Sequence, residues 1–336
     1  MILILTQPAD PHADAVMARL QDHGADVVRF NPADFPERAS VSVAYGAHAL
    51  QAATLETAAD TIDLLGLSAV WWRRPEPPVA AESVWDADTR SYVAEECRVV
   101  LNDIWHVLRC RFVPSVPAVL RRAELKAAQL DVAARLGFEL PPTLVTTSPR
   151  EFLAFYRQHG GDVISKLPSG MLHQLEHSNV ARYTEVVSTR DVGHAQALRR
   201  CPIIFQAYVP KRLEIRVTVV GPAVFAAEIH SQYTHRTRYD WRHYDQYETP
   251  YLPHQLPAEI AERCVRLVRE LGLCYGAIDL VLRPDGGYVF LEINPNGQYL
   301  WIEHATGMPI SNAVCDLLLT GGVGDTTPEP ELVEAA

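Results

Sequence analysis

The chain has 336 residues, of which 48% are hydrophobic and 21% are charged, and its formal net charge is −11. This length allows two or three domains with a substantial core, and the composition is that of a globular enzyme and excludes a disordered chain. The acidic balance argues against a broad nucleic-acid-binding surface, and no apolar run is long enough to span a membrane.

The N-terminus and the cysteines give no sign of export. Residues 1–6 lack the charged start and the cleavage region of a signal peptide, and they have the pattern of a buried strand. The six cysteines form no CxxC pair and follow no disulfide-scaffold spacing, which predicts reduced thiols. We therefore expect a cytoplasmic protein with neither a membrane nor a nucleic-acid partner.

The first third of the chain alternates strand and helix patterns. Strand patterns occupy residues 2–6, 26–30 and 68–72. Helix patterns occupy residues 11–24 and 86–110, and a linker with two prolines covers 112–117. Strands that alternate with helices predict a layered α/β domain with parallel pairing, which we place at residues 1–115.

The rest of the chain continues as a mixture of helices and strands, without internal repeats. Helix patterns cover residues 118–137, 149–159, 257–271 and 310–319. Strand patterns cover residues 143–146, 162–166, 202–208, 213–220 and 223–230. We expect a central subdomain over 116–200, a C-terminal subdomain over 201–320 and a flexible tail over 321–336.

Two apolar runs flank Pro284-Asp285-Gly286-Gly287, a pattern that predicts a β-hairpin. If Asp285-Gly286 is a two-residue turn, residues equally distant from it face each other, so Asp279 faces Glu292. Asn294 shares their face because side chains alternate along a strand. Like charges that face each other need a neutralising partner, and Mg²⁺ prefers such oxygen ligands. The alternative is a polar face that contacts only water.

Three cations also point to an anionic ligand. Lys166 ends an apolar strand, where a solvated lysine has little reason to lie. Arg216 lies among β-branched residues, where a guanidinium is costly unless it meets an anion, either a ligand or a neighbouring carboxylate. Lys126 lies on a helix, where a solvated position is the alternative. No GxxxxGK[ST] motif is present, which excludes a P-loop enzyme, and His173 and His177 lack the order of a zinc motif.

These residues resemble the ATP-grasp ligases in order and spacing over residues 118–320. The elements that carry this resemblance are Lys126, Lys166, Gln206 to Lys211 with Glu214 and Arg216, Asp279, and Glu292-Ile293-Asn294. Within that superfamily the chain is most similar to the graspetide synthetases, the microviridin-type maturases of ribosomal peptides. Segments 70–75, 208–221, 240–245 and 294–301 carry this closer similarity. The resemblance implies an α/β (α+β) ATP-grasp fold with an N-terminal Rossmann-like pre-ATP-grasp domain.

The resemblance also implies site residues and ligands. Two Mg²⁺ ions would be held by Asp279, Glu292 and Asn294. ATP would be bound by Lys126, Lys166, Gln206, Tyr208, Val209, Glu214 and Leu291, although many ATP-grasp hinges have Glu where this chain has Gln206. Arg216 and Lys166 would be catalytic. Substrate-binding candidates are Arg238, Asp240, Trp241, Arg242, Asn296, Arg73 and Arg74, and the basic aromatic stretch among them could equally be an exposed loop.

The implied substrate is a precursor peptide with a leader and a core. Its Asp or Glu side chains would be activated as acyl phosphates and joined to Thr or Ser hydroxyls or Lys amines, which closes macrocyclic esters or amides. One alternative is a ligase that adds a free amino acid, because residues 208–217 are similar to the hinge of glutamate ligases. Another is a non-catalytic nucleotide-binding module, against which the intact set of candidate residues weighs. A homodimer is expected from the family resemblance.

Overall fold

The computed structural model describes residues 1–168, 172–175, 178–181, 184–233 and 249–320. The N-terminal elements are β1 (Ile2–Thr6), α1 (Pro11–Asp22), β2 (Val27–Phe30), β3 (Ser40–Tyr45), β4 (Leu50–Glu56), β5 (Thr61–Asp63), β6 (Ala69–Arg74), α2 (Ala87–Val107) and β7 (Arg111–Val113). A parallel sheet with the order β2-β1-β6-β7 confirms the predicted α/β layer. β3, β4 and β5 form a separate antiparallel sheet that was not predicted.

The predicted linker over 112–117 was partly wrong. Arg111–Val113 pairs with β6 in parallel and forms the edge strand β7. Phe112 and Val113 are buried in this position. A strand this short, next to prolines, is too brief to show an alternating pattern.

The remaining elements fall into two sets, before and after residue 200. The first set is α3 (Pro117–Ala123), α4 (Lys126–Arg135), β8 (Thr143–Thr146), α5 (Pro149–Gln158), β9 (Val163–Lys166), β10 (Leu172–Leu175), β11 (Ser178–Ala181), β12 (Glu185–Val186) and α6 (Thr189–Gly193). The second set is β13 (Ile203–Ala207), β14 (Leu213–Val220), β15 (Ala223–Ile229), β16 (Tyr251–Pro253), α7 (Ala258–Glu270), β17 (Tyr275–Leu282), β18 (Tyr288–Asn294), α8 (Leu300–Thr306) and α9 (Ile310–Thr320).

Two antiparallel sheets lie on either side of a cleft. The smaller sheet has the order β12-β9-β13-β8, and the larger has the order β16-β15-β14-β17-β18. One face of the larger sheet is apolar and packs against α7, α4 and α3 in a core that includes Ile215, Val217, Ile278 and Leu280. The alternate residues of β14 therefore face the cleft, and these include Glu214 and Arg216.

The single helix predicted over 118–137 is two helices. Leu125 interrupts it with an extended backbone, at φ −68° and ψ 112°. The amide of the buried Gln129 donates to the carbonyl of Ala123 at 2.7 Å, which satisfies one of the carbonyl groups that the end of α3 leaves without a helical partner. As a result Lys126 is the first residue of α4 and not a mid-helix position.

The hairpin of β17 and β18 is built differently from the prediction. Gly286 donates its N–H to the carbonyl of Arg283, and Leu282 pairs with Tyr288, so the connection is longer than two residues. The register then shifts between Asp279 and Leu280, which leaves Leu291 as a bulge residue. The longer connection and the bulge offset each other, and Asp279 faces Glu292 as predicted.

The core beneath the N-terminal sheet is shared with the C-terminus. Ile2, Ile4, Val16 and Leu20 of β1 and α1 belong to one apolar cluster with residues of α8 and α9. The N-terminal region is therefore not packed as a separate body. Among the described residues no helix is long and apolar enough to cross a membrane.

Candidate active site

The cleft between the two antiparallel sheets contains most of the predicted nucleotide-binding residues. Its empty volume is about 620 Å³, a figure that includes the solvent at its mouth. The lining residues are Pro141, Ile164, Lys166, Thr184, Gln206, Ala207, Tyr208, Val209, Lys211, Glu214, Asp279, Leu280, Val281, Leu291 and Glu292. Residues from five separate parts of the sequence thus converge on one concave surface.

At the base of this region Arg216 is paired with Asp279. Arg216 faces Asp279 on the neighbouring strand, and its Nη1 donates to Asp279 Oδ1 at 2.9 Å. The two side chains are 5% and 8% exposed. The alternative expected for Arg216, an ion pair with a neighbouring carboxylate, is therefore the contact that the structure shows. Asp279 lines the cleft and Arg216 lies next to it, so an incoming cation and an anion could contact the two groups.

The hairpin places two carboxylates side by side. Asp279 and Glu292 face each other across β17 and β18. In a regular strand, Leu291 and Glu292 would point to opposite faces, but the bulge directs both into the cleft lining. Leu291 therefore lines the cleft beside Glu292. Its proposed place beneath the nucleotide agrees with this geometry.

Lys126 lies at the same hairpin. Its Nζ is 2.6 Å from Glu292 Oε2, and the two side chains are 31% and 21% exposed. Helix α4 is fixed to β18 by Gln129, whose amide donates to the carbonyl of Ile293 at 2.8 Å and accepts from the N–H of Ile293 at 3.3 Å. The buried glutamine therefore sets the position of the lysine relative to the carboxylates.

The segment after β13 has the features of an adenine site. Gln206 is buried, its amide N–H₂ donates to Thr143 at 3.0 Å, and its Oε1 accepts no hydrogen bond from the described residues. Neither backbone polar group of Val209 makes a hydrogen bond within the described ranges. Buried or enclosed groups of this kind require a partner, and the edge of a purine supplies both donors and acceptors.

Glu214 is the first cleft-facing carboxylate of β14. Lys211, three residues before it, forms a buried ion pair with Glu214 Oε1, and the side chains are 5% and 6% exposed. Glu214 was predicted to bind ATP, whereas Lys211 was not predicted as a site residue. Its position in a hinge between two buried strands was the available signal. The pair holds the carboxylate in one orientation within the cleft.

Asn294, the third predicted metal ligand, lies beyond the lined part of the cleft. It pairs with Ala277, two residues along β17 from Asp279, and its side chain is exposed. Its Oδ1 accepts the N–H of Asn296 at 2.9 Å. The structure therefore brings the two carboxylates together and places the amide at the next step of the ladder.

The donor set fits a hard divalent cation shared with a nucleotide. Within the described ranges no group of three or more His, Cys, Asp or Glu side chains could hold a metal alone. Mg²⁺ is commonly bound through one or two carboxylates, with phosphate oxygens and water completing its shell. Asp279 and Glu292 supply that number of carboxylates, and the metal role of these residues and of Asn294 stays a prediction.

The predicted substrate residues are distributed differently. Arg73 is 2% exposed, its Nη1 donates to the carbonyl of Asn296 at 2.8 Å, and its Nε lies 3.3 Å from Asp10. Arg74 is exposed at the end of β6. Asn296 is partly buried, and its Oδ1 makes no hydrogen bond with the described residues. Arg238, Asp240, Trp241 and Arg242 lie outside the described residues.

A polar cluster at the N-terminal sheet was missed. Asp10 and His12 follow β1 and contact Arg73 and the backbone after Gln298. The available signal was the stretch Thr6-Gln-Pro-Ala-Asp-Pro-His12, which lies at the carboxyl end of a buried strand, where α/β sheets place functional groups.

Comparisons with known proteins agree with this geometry. A family model described as the MvdD pre-ATP grasp domain matches residues 1–119. A RiPP-associated ATP-grasp ligase from Chryseobacterium gregarium, solved with ADP and a leader and core peptide, is 31% identical, with a TM-score of 0.86, over 94% of this chain and 96% of that chain. No curated protein matches the chain.

Two macrocyclases from Microcystis aeruginosa MRC are also similar. MdnB is 30% identical with a TM-score of 0.80, over 95% of this chain and 99% of that chain. MdnC, solved with the precursor peptide MdnA, is 27% identical with a TM-score of 0.83, over 94% and 98%. These matches cover both the N-terminal domain and the two cleft-forming sheets. The chain belongs to the RiPP-associated ATP-grasp ligases, as the resemblance to the graspetide synthetases predicted.

Proposed function

We propose that this protein is an ATP-dependent ligase that closes macrocycles in a ribosomally made precursor peptide. It activates Asp or Glu side chains as acyl phosphates and joins them to Thr or Ser hydroxyls as esters, or to Lys amines as amides. The observation that carries the proposal is the cleft, where Asp279 and Glu292 lie beside cationic groups and a hinge suited to adenine. The ligands of the similar solved structures, ADP and precursor peptides, support it.

The hinge orients the nucleotide. Gln206 Oε1 would accept from the adenine amino group, and the backbone of Val209 would bond the purine edge, because these groups make no hydrogen bond among the described residues. Leu291 provides the apolar surface under the base. Glu214, held by Lys211, would accept from the ribose hydroxyls.

The phosphate end of the cleft is where charge is neutralised. Asp279, Glu292 and Asn294 would hold two Mg²⁺ ions, which supply the positive charge that phosphoryl transfer requires. Lys166 lines the cleft at the end of β9, and Lys126 lies at 2.6 Å from Glu292. For Lys126 to contact a phosphate, it must exchange this carboxylate for a phosphate oxygen. The partly exposed pair costs little to separate, about 0–1 kcal/mol.

The reaction proceeds in two displacements. An oxygen of the peptide carboxylate attacks the γ-phosphorus, and the bond to the ADP oxygen breaks. The hydroxyl or amine of the acceptor then attacks the acyl carbon, phosphate leaves with the bonding electron pair, and the acceptor loses a proton. Arg216 would stabilise the transferred oxygens, because it is preorganised by Asp279 and by the carbonyl of Gln298.

The remaining assignments are part of the same proposal. The peptide would contact Arg74 and Asn296, and residues 238–242 are further candidates for this contact. Arg73 is buried and would support this surface by binding the carbonyl of Asn296. The enzyme would work as a homodimer in the cytoplasm, where ATP is available and its six free thiols stay reduced.

Mass spectrometry of a co-expressed precursor tests the proposal. The probe is a peptide encoded next to the gene that contains Thr and Glu or Asp in its core. Each closed ring removes one water, so the product loses mass by whole waters. Co-expression with Glu292→Gln provides the matched control, in which the mass stays that of the unmodified peptide. A wild-type enzyme that leaves every candidate peptide unchanged contradicts the proposal, and a gain by one amino acid indicates an amino-acid-adding ligase.

A further inference from the structure

The loop after β18 is held through its backbone. The carbonyl of Asn296 accepts from Arg73 at 2.8 Å, that of Gly297 from the Tyr275 hydroxyl at 2.6 Å, and that of Gln298 from Arg216 at 3.3 Å. Three successive carbonyl groups are thus bound by three different strands. The loop carries Asn296 and directly follows Asn294.

The same loop is bound from a fourth direction by a histidine. The backbone N–H groups of Tyr299 and Leu300 both donate to His12 Nε2, each at 3.1 Å. His12 belongs to α1, 287 residues away from Tyr299. Two partners of this loop, His12 and Arg73, therefore come from the N-terminal domain.

Asp10 joins these two N-terminal partners. Its Oδ1 accepts the N–H of His12 at 3.0 Å and lies 3.4 Å from His12 Nδ1. Its Oδ2 accepts from the Thr6 hydroxyl at 2.8 Å and lies 3.3 Å from Arg73 Nε. Asp10, His12 and Arg73 are 2%, 6% and 2% exposed. One buried carboxylate thus lies against both side chains that reach across to the loop.

The protonation states agree with this arrangement. Two N–H donors at Nε2 require a lone pair there, so His12 is neutral with its proton on Nδ1, toward Asp10. Burial lowers the pKa of His12, although the neighbouring carboxylate of Asp10 opposes that shift. Burial would raise the pKa of Asp10, but the hydrogen bond with His12 and the charge of Arg73 hold it well below its ordinary value.

The cluster of Asp10, His12 and Arg73 lies at one edge of the N-terminal sheet. Asp10 and Arg73 lie at the carboxyl ends of the parallel strands β1 and β6, the edge at which open α/β sheets usually bind a ligand. In this protein the edge binds the protein's own loop. The geometry points to Asp10, His12 and Arg73 as positioning residues for the ligase reaction, which hold the loop so that Asn294 and Arg216 stay aligned with the two carboxylates. This inference rests on the proposed function.

Small displacements of such a loop have large effects. Arg216 binds both Asp279 and the carbonyl of Gln298, so a shift of the loop changes the guanidinium that faces the transferred phosphate. Groups that orient metal ligands from behind are typically worth about 10–100-fold in metal affinity or activity. The inference therefore predicts a loss in metal-dependent nucleotide binding, and not in nucleotide binding as such.

Calorimetric titration with ADP, in MgCl₂ and in EDTA, tests the inference. We expect His12→Leu to weaken ADP binding about tenfold in MgCl₂ and to leave binding in EDTA unchanged. His12→Gln should recover most of the loss, because its amide oxygen can accept the two backbone N–H groups. Arg73→Lys removes the fork that joins Asp10 to Asn296, and it should show the same metal-dependent loss. This second variant decides the question if His12→Leu does not fold.

Arg19→Leu is the matched control. Arg19 also lies on α1 and joins it to the C-terminal helices, with 3.0 Å contacts to Glu303 and Asn312, but it does not touch the loop. It should lower the unfolding temperature and leave both titrations unchanged. An equal loss in Arg19→Leu, or wild-type Mg²⁺-ADP binding in folded His12→Leu and Arg73→Lys, overturns the inference. Failure of the wild-type protein to bind ADP at all contradicts the proposed function instead.

Discussion

Arg216 and Asp279 form a structural pair of single residues, to which the proposed function also assigns a chemical role. They are a buried pair at 2.9 Å, and removal of one partner from such a pair costs about 3–5 kcal/mol because the other charge is left buried. Glu292 is different, since its partner Lys126 is partly exposed and the pair adds only about 0–1 kcal/mol. Loss of activity and loss of stability can therefore be separated at Glu292 more cleanly than at Asp279.

Glu292→Gln should abolish turnover and leave the fold intact. The amide keeps the size of the side chain but removes the negative charge that a magnesium ion needs. We expect no detectable ADP release with the precursor peptide and an unfolding temperature close to that of the wild type. Asp279→Asn should also be inactive, with a lower unfolding temperature because Arg216 loses its counter-charge.

Asp285→Asn serves as the control for both substitutions. Asp285 lies in the connection of the same hairpin and bonds only Arg283 and Gly287 among the described residues, outside the cleft. It should keep full activity. Turnover retained in Glu292→Gln would show that the hairpin is not the metal site.

Some site residues could be predicted because the neighbouring residues show that burying their charge is energetically costly. A guanidinium between Ile215 and Val217 must meet an anion, so Arg216 could be predicted as a site residue without knowledge of its partner. His12 gave no comparable signal, because a histidine after a proline at the start of a helix is unremarkable. Its partners, the backbone groups of Tyr299 and Leu300, lie 287 and 288 residues away and cannot be inferred from local pattern.

At the scale of elements, the hairpin shows how a correct prediction can rest on an incorrect detail. The predicted two-residue turn is a longer connection, which alone would have placed Leu291 opposite Asp279. The bulge at Leu291 adds one residue to β18 and restores the pairing of Asp279 with Glu292. Periodicity in the sequence reports which residues alternate, but it does not report where an extra residue is accommodated.

Gly297→Ala should reduce activity through the loop after β18. A Cβ atom at this position would lie 2.2 Å from Ala277 Cβ and 2.6 Å from an Arg216 side-chain nitrogen. Because Ala277 Cβ is attached directly to the backbone of β17, the loop itself must move. We expect turnover to fall by about 100-fold, since a displacement of about 1 Å can have that effect. Steady-state kinetics with the precursor peptide measures it.

A double variant tests the cause of that loss. Ala277→Gly removes the closest of the two contacts, so Gly297→Ala with Ala277→Gly should recover part of the activity. Gly193→Ala is the control, because nothing lies within 4 Å of a Cβ atom there. Unchanged activity in Gly297→Ala would show that the loop does not need this close approach.

The elements that were mispredicted share a physical cause. The sheet of β3, β4 and β5 has alternating but largely exposed residues, so its pattern resembles a polar loop. The helix predicted over 118–137 is interrupted at Leu125, where a long-range bond from Gln129 decides the geometry. Strand β14 was predicted with its observed bounds, because apolar and β-branched residues recur along its whole length.

At the scale of the whole molecule, the N-terminal sheet and the C-terminal helix complete one another. α9 buries Ile310, Val314, Cys315, Leu317 and Leu318 in the cluster that contains β1 and α1. At about 1.5–3 kcal/mol for each large side chain, this burial is worth on the order of 10 kcal/mol. That is comparable to the whole stability of a typical domain.

A chain that ends at residue 309 should therefore not fold. The loss of α9 leaves the apolar face beneath β1 open to water, and we expect aggregation or the absence of a cooperative thermal transition by circular dichroism. A chain that ends at residue 320 is the matched control and should unfold at the wild-type temperature, because composition predicts a flexible tail over 321–336. A folded, active protein without residues 310–320 would show that the N-terminal sheet is stable alone.

The contacts of Asp10, His12 and Arg73 with the loop after β18 also limit which chimeras of related enzymes could work. In a chimera that takes residues 1–119 from a relative, the new N-terminal domain must still accept hydrogen bonds from the backbone N–H groups of Tyr299 and Leu300. It must also donate one to the carbonyl of Asn296. Because these bonds end on main-chain atoms, the receiving loop can change its side chains without losing them. Crossover points that inherit the three residues as a set should give working hybrids, and those that divide the set should not.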